Sequence, residues 1–394
     1  MKTHKQDMQF ALAVLTLFAV CMVGVPVVHA SRPGTKDLSP GSATLKKVGE
    51  RGYLRCGMDT AITGLQTYGG AGTSVGEVFG PGGVADTAQG INVALCRAIA
   101  TAIFGDSTNH IQLRVIDFGS QFKTVSDRIV DVTMMGTTQT LRRDGSNLNE
   151  PNTNFAPIDY PRLYFLDLTQ ILTDQFSWTD STDRLAVLSD LTRNGFTDVK
   201  SICVIADSTQ EGLFTDLGFK IHSSTDGGAM TTDYVNHTCD AVAVDGSSLA
   251  GIAQDASGLG RGGDLTAVIN NLFSLESTGP VVAENDSAWK DIVDWTIDAM
   301  TYADFKKFSL QDSQKPPPNS GVDAEVDRFL GRTKSDSGFY LGEELKLDRF
   351  YAKNILEKVG TYQEVMSGNN IKPEIVGPNK TFDEGGIQVP HAYR

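Results

Sequence analysis

The chain is short of positive charge: 34 Lys and Arg stand against 48 Asp and Glu, a formal net charge of -14 over 394 residues. A protein that grips a phosphate backbone needs the opposite balance, so nucleic acid is excluded as a default partner. A small zwitterion is not excluded, because one Arg in a cleft outweighs a diffuse surface charge screened within about 8–10 Å. The five cysteines form no C-x-x-C and the histidines are scattered, which speaks against a zinc site. No G-x-S-x-G, H-E-x-x-H or Walker sequence occurs. Gly258-Leu259-Gly260-Arg261-Gly262-Gly263 has the glycines of a nucleotide loop but no strand before it, and reads as a surface turn. There is no repeat of solenoid period. Cofactors and metals are therefore not expected.

What is present is ordinary globular composition, 40% hydrophobic and 21% charged, which excludes disorder and a polytopic membrane protein. At roughly 100–200 residues per domain the length fits two compact units or one large one. Residues 1–30 read as a signal peptide: Lys2 and Lys5, an apolar run from Phe10 to Val28, then Val28-His29-Ala30 with small residues at the cleavage-determining positions. Cleavage after Ala30 is expected, giving a periplasmic or secreted protein; the rival is an uncleaved anchor, since the run approaches the roughly 20 residues that span a bilayer. Val20 before Cys21 is too large for a lipoprotein box. Without Cys21 an even set remains, Cys56, Cys96, Cys203 and Cys239, and an oxidising compartment makes disulfides the expectation. Of three pairings, Cys56–Cys96 with Cys203–Cys239 keeps each bridge within one half of the chain. Four reduced, buried cysteines are the alternative.

A Pro/Gly/Ser-rich lead (31–43) precedes a short amphipathic helix at Thr44 to Val48 and a strand at Tyr53 to Gly57. Gly64 to Gly90 holds too many glycines for a regular element and reads as a long surface loop. Ala94 to Phe104 is helical in spacing, Ile111 to Ile116 strand-like, Ser120 to Ile129 helical and Val130 to Met135 strand-like. That series predicts a parallel sheet with crossover helices. The grammar restarts with a strand at Ser201 to Ala206, a helix at Ser208 to Leu217, a strand at Phe219 to His222, a helical turn at Thr231 to Val235 and a strand at Ala241 to Val244. Tyr160 to Thr173 and Phe273 to Ala283 are extended crossings between the two α/β units, which predicts a hinge and a cleft. Past Ala288 the chain turns helical, with Trp289, Ile292, Val293 and Thr296 on one face; the stretch from Lys372 is expected on the surface.

Several ordered blocks then resemble a known family. They are Thr44-Leu45 to Cys56-Gly57; Gly90-Ile91-Asn92-Val93-Ala94-Leu95-Cys96 with Phe104-Gly105-Asp106; Gly136-Thr137-Thr138-Gln139-Thr140-Leu141-Arg142-Arg143-Asp144; Cys239-Asp240-Ala241-Val242-Ala243-Val244-Asp245; Gly279-Pro280-Val281-Val282; Phe329-Leu330-Gly331; and the tail with Gly377-Pro378-Asn379. Together they resemble the general L-amino-acid-binding periplasmic proteins, family 3 solute-binding proteins of ABC transporters, across nearly the whole mature chain. The resemblance implies a two-lobed periplasmic-binding-protein fold of type II, with two mixed or parallel sheets. It divides the chain into 44–164 (first lobe), 165–275 (second lobe), 276–365 (return to the first lobe) and 366–394 (tail). The family also places cysteines at the four positions above.

A free amino acid offers a carboxylate and an ammonium, so its receptor needs a fork of donors and an anionic acceptor. The planar guanidinium of Arg suits the first task. The resemblance implies that Arg143 binds the α-carboxylate with the Thr140 hydroxyl beside it; read alone, Arg143 is a solvated helix-start residue. It implies that Asp245, at the carboxyl end of a strand, accepts the α-ammonium. The bland reading of Asp245 is an N-cap for the following helix. Ser208 and Thr209 open a helix and would reach the carboxylate from the other lobe, or are simply its cap. Gln139 and Leu65 would line the ligand side-chain pocket, and both depart from the aromatics usual in the family. Asp207 stands where the family has Gly, and Asn92 where it has Asp.

The function implied is capture of a free L-amino acid by a monomer and its delivery to a membrane permease, without chemistry. The rivals are an enzyme on the same scaffold, of the prephenate or arogenate dehydratase kind, and a degenerate receptor acting as a sensor. Sequons at Asn236, Asn285 and Asn379 do not decide the secretory route.

Overall fold

The computed structural model describes residues 41–69, 74–144, 157–173, 201–261, 267–269, 274–369 and 377–394. The expected signal peptide and most of the lead lie outside these residues.

Two strand-helix-strand units repeat one pattern. In the first, β1 (Leu54–Met58) lies between β3 (Ile111–Val115) and β4 (Val132–Thr138), parallel to both. In the second, β7 (Ile202–Ile205) lies between β8 (Ile221–Ser224) and β9 (Ala241–Asp245), again parallel to both. β7 reads Ile-Cys-Val-Ile and is buried throughout, as a parallel strand covered on both faces must be. The crossings are the long strands β6 (Phe165–Thr173) and β11 (Leu275–Ala283). β11 pairs antiparallel with β4, and β6 with β9, so each crossing edges one unit. They also pair with each other, Leu275 opposite Leu168 through Thr278 opposite Phe165. The two sheets therefore form one continuous strand path, β2-β3-β1-β4-β11-β6-β9-β7-β8, where β2 is Val78–Phe79. β5 (Ile158–Asp159) and β10 (Ala267–Ile269) pair on β11 and β6.

Helices pack where the apolar spacing puts them. α1 (Ala43–Arg51) is capped by the Ser42 hydroxyl on Leu45 N. α2 (Ile91–Phe104) is buried on most sides and begins after Gly90, at φ +118°, where a Cβ would sit 2.2 Å from the Leu65 carbonyl oxygen; only glycine fits. α3 (Gln121–Ser126) follows β3, and α4 (Leu141–Asp144) follows β4. In the second unit α5 (Thr209–Asp216), α6 (Gly227–Val235) and α7 (Gly246–Ala256) follow β7, β8 and β9. α6 starts four residues before the helical turn expected there, with the Asp226 side chain as its cap. α8 (Ser287–Phe305) turns Trp289, Ile292, Val293 and Thr296 into the first-lobe core, and the Trp289 indole N–H donates to the Asp131 carbonyl at 2.9 Å.

Cys56 in β1 is bonded to Cys96 in α2, and Cys203 in β7 to Cys239 just before β9, with Cα separations of 6.5 and 5.6 Å. Each bridge ties a central strand to its own unit.

Two expectations are corrected and a third gains detail. The segment 64–90 is not merely a surface loop: Thr67 bridges Gln89, β2 pairs β3, and Gln66, Tyr68, Ala85 and Ala88 are buried. The tail lies largely on the surface, as expected, but buried anchors pin it there. The Asn379 side chain, fully buried, accepts from Leu166 N at 2.6 Å and donates to Leu166 O at 2.8 Å, satisfying the backbone of a crossing strand, and Gln388 donates to the Tyr164 carbonyl. That burial also removes Asn379 as a glycan acceptor. Arg261, read as part of a surface turn, is buried with its guanidinium carbon 3.6 Å from the Tyr234 ring centroid.

Candidate functional site

The carboxyl ends of the parallel strands of both lobes face one another, the place where open α/β sheets bind ligands. Side chains of both lobes share one cluster there, with Ile116, Phe118 and Met135 against Ile205, Met230 and Leu249. The lobes are thus in contact across the cleft.

β4 ends at Thr138 and passes through Gln139 and Thr140 into α4, which carries Arg143 inward. A cation at only 4% exposure needs partners. Its guanidinium donates to the Thr138 carbonyl at 2.8 Å and, across the cleft, to the Asp207 carbonyl at 2.9 Å. It also lies 5.6 and 5.4 Å from the ring centroids of Phe118 and Phe122. Burial pushes Arg143 below its ordinary value, opposed by Tyr160, Glu276, Asp245 and Asp207. The Thr140 hydroxyl accepts from Arg143 N at 3.2 Å and so fixes the turn that aims the side chain. Arg142 is exposed.

From the second lobe, Asp207 adopts φ +61°, in the left-handed region, which is the physical reason a Gly is the usual residue in such a place. Its side chain leans over Gly119 of the first lobe, where an added Cβ would stand 2.7 Å from Asp207 Oδ2. Ser208 caps α5 by accepting from Glu211 N at 3.1 Å. The Thr209 hydroxyl donates to Glu276 Oε2 at 2.9 Å.

Asp245 occupies the N-cap position of α7 without a side-chain capping bond. The cap comes from Asp167 of β6, which accepts from Ser247 N at 3.2 Å. Asp245 Oδ1 instead accepts from Gln210 Nε2 at 2.6 Å, and the same amide donates to Thr169 Oγ1 at 3.0 Å. Burial first, then Asp167 and Glu276, holds the Asp245 carboxyl well above the usual range. Asp167 is pushed up to about 6, mainly by burial.

Asp245 and Asp167 line a small cavity against the crossing strands, together with Leu65, Ile91, Asn92, Gly136, Tyr164 and Ser247. Leu65 and Asp245 therefore share one cavity. Gln139, Thr140, Arg143, Ser208 and Thr209 lie outside its lining, although Arg143 and Asp245 are close enough to interact electrostatically. Asn92 suits its place: it donates to Gln66 Oε1 at 2.8 Å and accepts from the Tyr164 hydroxyl at 3.0 Å. Three functional candidates escaped sequence reasoning, Gln210, Asp167 and Glu276. The signal available for Asp167 and Glu276 was a lone acid inside an otherwise uncharged crossing strand; Gln210 gave none. Among the described residues no group of three His, Cys, Asp or Glu side chains is arranged to hold a metal ion.

No protein-family model matches the chain. It is 25% identical over 362 residues to the General L-amino acid-binding periplasmic protein AapJ of Rhizobium johnstonii, covering 88% of this chain and 92% of that one. It is 25% identical over 367 residues to the Glutamate/glutamine/aspartate/asparagine-binding protein BztA of Rhodobacter capsulatus, covering 90% and 94%. Among solved structures, an ABC transporter periplasmic binding protein from Brucella ovis with glutathione bound superposes with a TM-score of 0.71 at 24% identity, covering 89% of this chain and 99% of that one. No helix among the described residues is long and apolar enough to cross a membrane. By sequence along nearly its whole length and by its two-lobed fold, the chain is a relative of the amino-acid-binding periplasmic proteins of ABC transporters.

Proposed function

We propose that the protein captures a free L-amino acid between its lobes and delivers it unchanged to the membrane permease of an ABC transporter, acting as a monomer outside the cytoplasm after cleavage near Ala30. Asp245 carries this reading: a half-buried acid in an N-cap position, relieved of capping by Asp167, oriented by Gln210 and facing the cavity. It is the acceptor for the ligand ammonium. Arg143, reaching from the first lobe to the second, takes the ligand carboxylate in exchange for the Asp207 carbonyl. Thr140 sets its turn, while Ser208 and Thr209 open the helix on the facing lobe, and Leu65 and Gln139 border the side chain. The names of the relatives point the same way, since both curated ones are described as amino-acid-binding. The lobes are assigned to 44–164 with 276–365, and to 165–275.

A thermal-unfolding screen against the proteinogenic L-amino acids tests this. Ligand at 100 times its dissociation constant adds roughly 2.7 kcal/mol, a shift of several degrees. Mass spectrometry of the released compound separates receptor from enzyme, because a receptor returns its ligand unchanged. A new product would establish the dehydratase-like rival, and no shift with any amino acid would remove the reading.

A further inference from the structure

We propose that closure of the two lobes takes up a proton, held between Asp59 of the first lobe and Asp226 of the second, so that acid favours the closed form. The inference rests on the two-lobed hinge and not on which ligand is bound.

Asp59 directly follows β1, and Asp226 is the N-cap of α6 on the opposite lobe. Both are buried, at 4% and 7% exposure. One hydroxyl stands between them: Thr60 Oγ1 is 3.2 Å from Asp59 Oδ1 and 3.2 Å from Asp226 Oδ1, while itself accepting from Gly228 N at 2.9 Å. A hydroxyl has a single proton to donate, so it serves one carboxylate and leaves the other facing a like charge. Asp226 has other donors, Ala229 N at 2.9 Å and Thr225 Oγ1 at 2.8 Å, and sits at the positive end of a nine-residue helix. Asp59 has Thr60 N at 2.7 Å and the Gly227 backbone. The remaining titratable group against Asp59 is Tyr68, whose hydroxyl donates to the Asp59 carbonyl at 2.7 Å. Among the described residues no Lys, Arg or His forms an ion pair with either acid.

The contact belongs to the closed arrangement. A Cβ on Gly227 would stand 2.8 Å from Ile62 Cδ1 and 3.6 Å from Asp59 Oδ2, so helix and loop meet with no room for a side chain. Burial, and with it Asp226, raises the Asp59 carboxyl to about 7. In the open form, water returns to both acids and Asp59 reverts toward an ordinary carboxyl value. The closed form then binds the extra proton, its advantage is present below the raised value, and it is lost as pH rises through about 7.

Spin labels on Lys47→Cys and Lys220→Cys, one exposed position on each lobe, report the closed-to-open ratio of the oxidised protein without added ligand. Between pH 8.5 and pH 5.5 the ratio should rise roughly thirtyfold through Asp59 alone. Asp167 and Asp245 near the hinge, both raised by burial, titrate in the same experiment, so the proposal is read from the difference made by Asp59→Asn. That variant should lose the Asp59 share of the response, and Asp226→Asn, which keeps a capping side chain, should shrink that share without abolishing it, because burial remains the first cause of the raised Asp59. An unchanged ratio in the wild type, or a pH response in Asp59→Asn as large as that of the wild type, overturns the proposal. Either result leaves amino-acid capture untouched, since no ligand is present.

Discussion

Truncating Arg143 separates a functional cation from a structural one. Its guanidinium bonds two backbone carbonyls. The Thr138 carbonyl keeps a second donor, the Tyr160 hydroxyl at 3.2 Å, and Asp207 is exposed enough for water to serve its carbonyl. Arg143→Ala should therefore fold, with a native circular dichroism spectrum. In the complex the loss is larger, because a ligand carboxylate left unpaired in a closed cleft costs roughly 3–5 kcal/mol. At about 1.4 kcal/mol per tenfold, affinity should fall by about two to three and a half decades. Arg142→Ala, at an exposed position, should change affinity by less than about threefold. Titration calorimetry with the amino acid that gives the largest thermal shift checks both. Equal losses would mean the wrong Arg was assigned, and a folded Arg143→Ala protein with unchanged affinity would refute the carboxylate clamp.

Gln210→Leu removes a donor that favours the charged form of Asp245. The ammonium needs the ionised carboxylate, so affinity is lost as pH falls through the Asp245 value, and in this variant that loss should move to higher pH in a calorimetric pH series. An unmoved profile would show that Gln210 does not act through Asp245. Asn379→Ala removes two hydrogen bonds to Leu166, each worth about 1 kcal/mol net; scanning calorimetry should find several degrees of lost stability, and none if the tail is dispensable. Non-reducing peptide mapping should recover Cys56–Cys96 and Cys203–Cys239 peptides, and a Cys56–Cys203 peptide would contradict the architecture.

The α/β repeat was legible because its strands and helices keep clean periods: Ser201 to Ala206 and Ala241 to Val244 are apolar runs bounded by Ser, Asp and Gly. The mutual pairing of the crossings was not, since strand partners more than 100 residues apart leave no local mark. The anchoring of the tail was hidden for a related reason. Its Pro and Gly punctuation describes the local chain, whereas Asn379 is held by a backbone more than 200 residues away. At the site, Arg143 and Asp245 were recognisable only within an ordered series of blocks. That Asp167, not Asp245, caps α7 depends on a strand brought beside it by the fold. Asp207 was a visible departure, and its left-handed backbone supplies the reason a Gly is usual there.

The central claim is that the cleft recognises both charged ends of a free amino acid. Calorimetric titration with the best-binding amino acid, its α-amide and its N-acetyl derivative tests that directly, because each derivative removes one charge and leaves the side chain intact. Both derivatives should bind at least about a hundredfold more weakly, as expected when a buried charge loses its partner. A blocked derivative that binds as tightly as the parent would contradict the assignment of Arg143 and Asp245 to the two ends of the ligand.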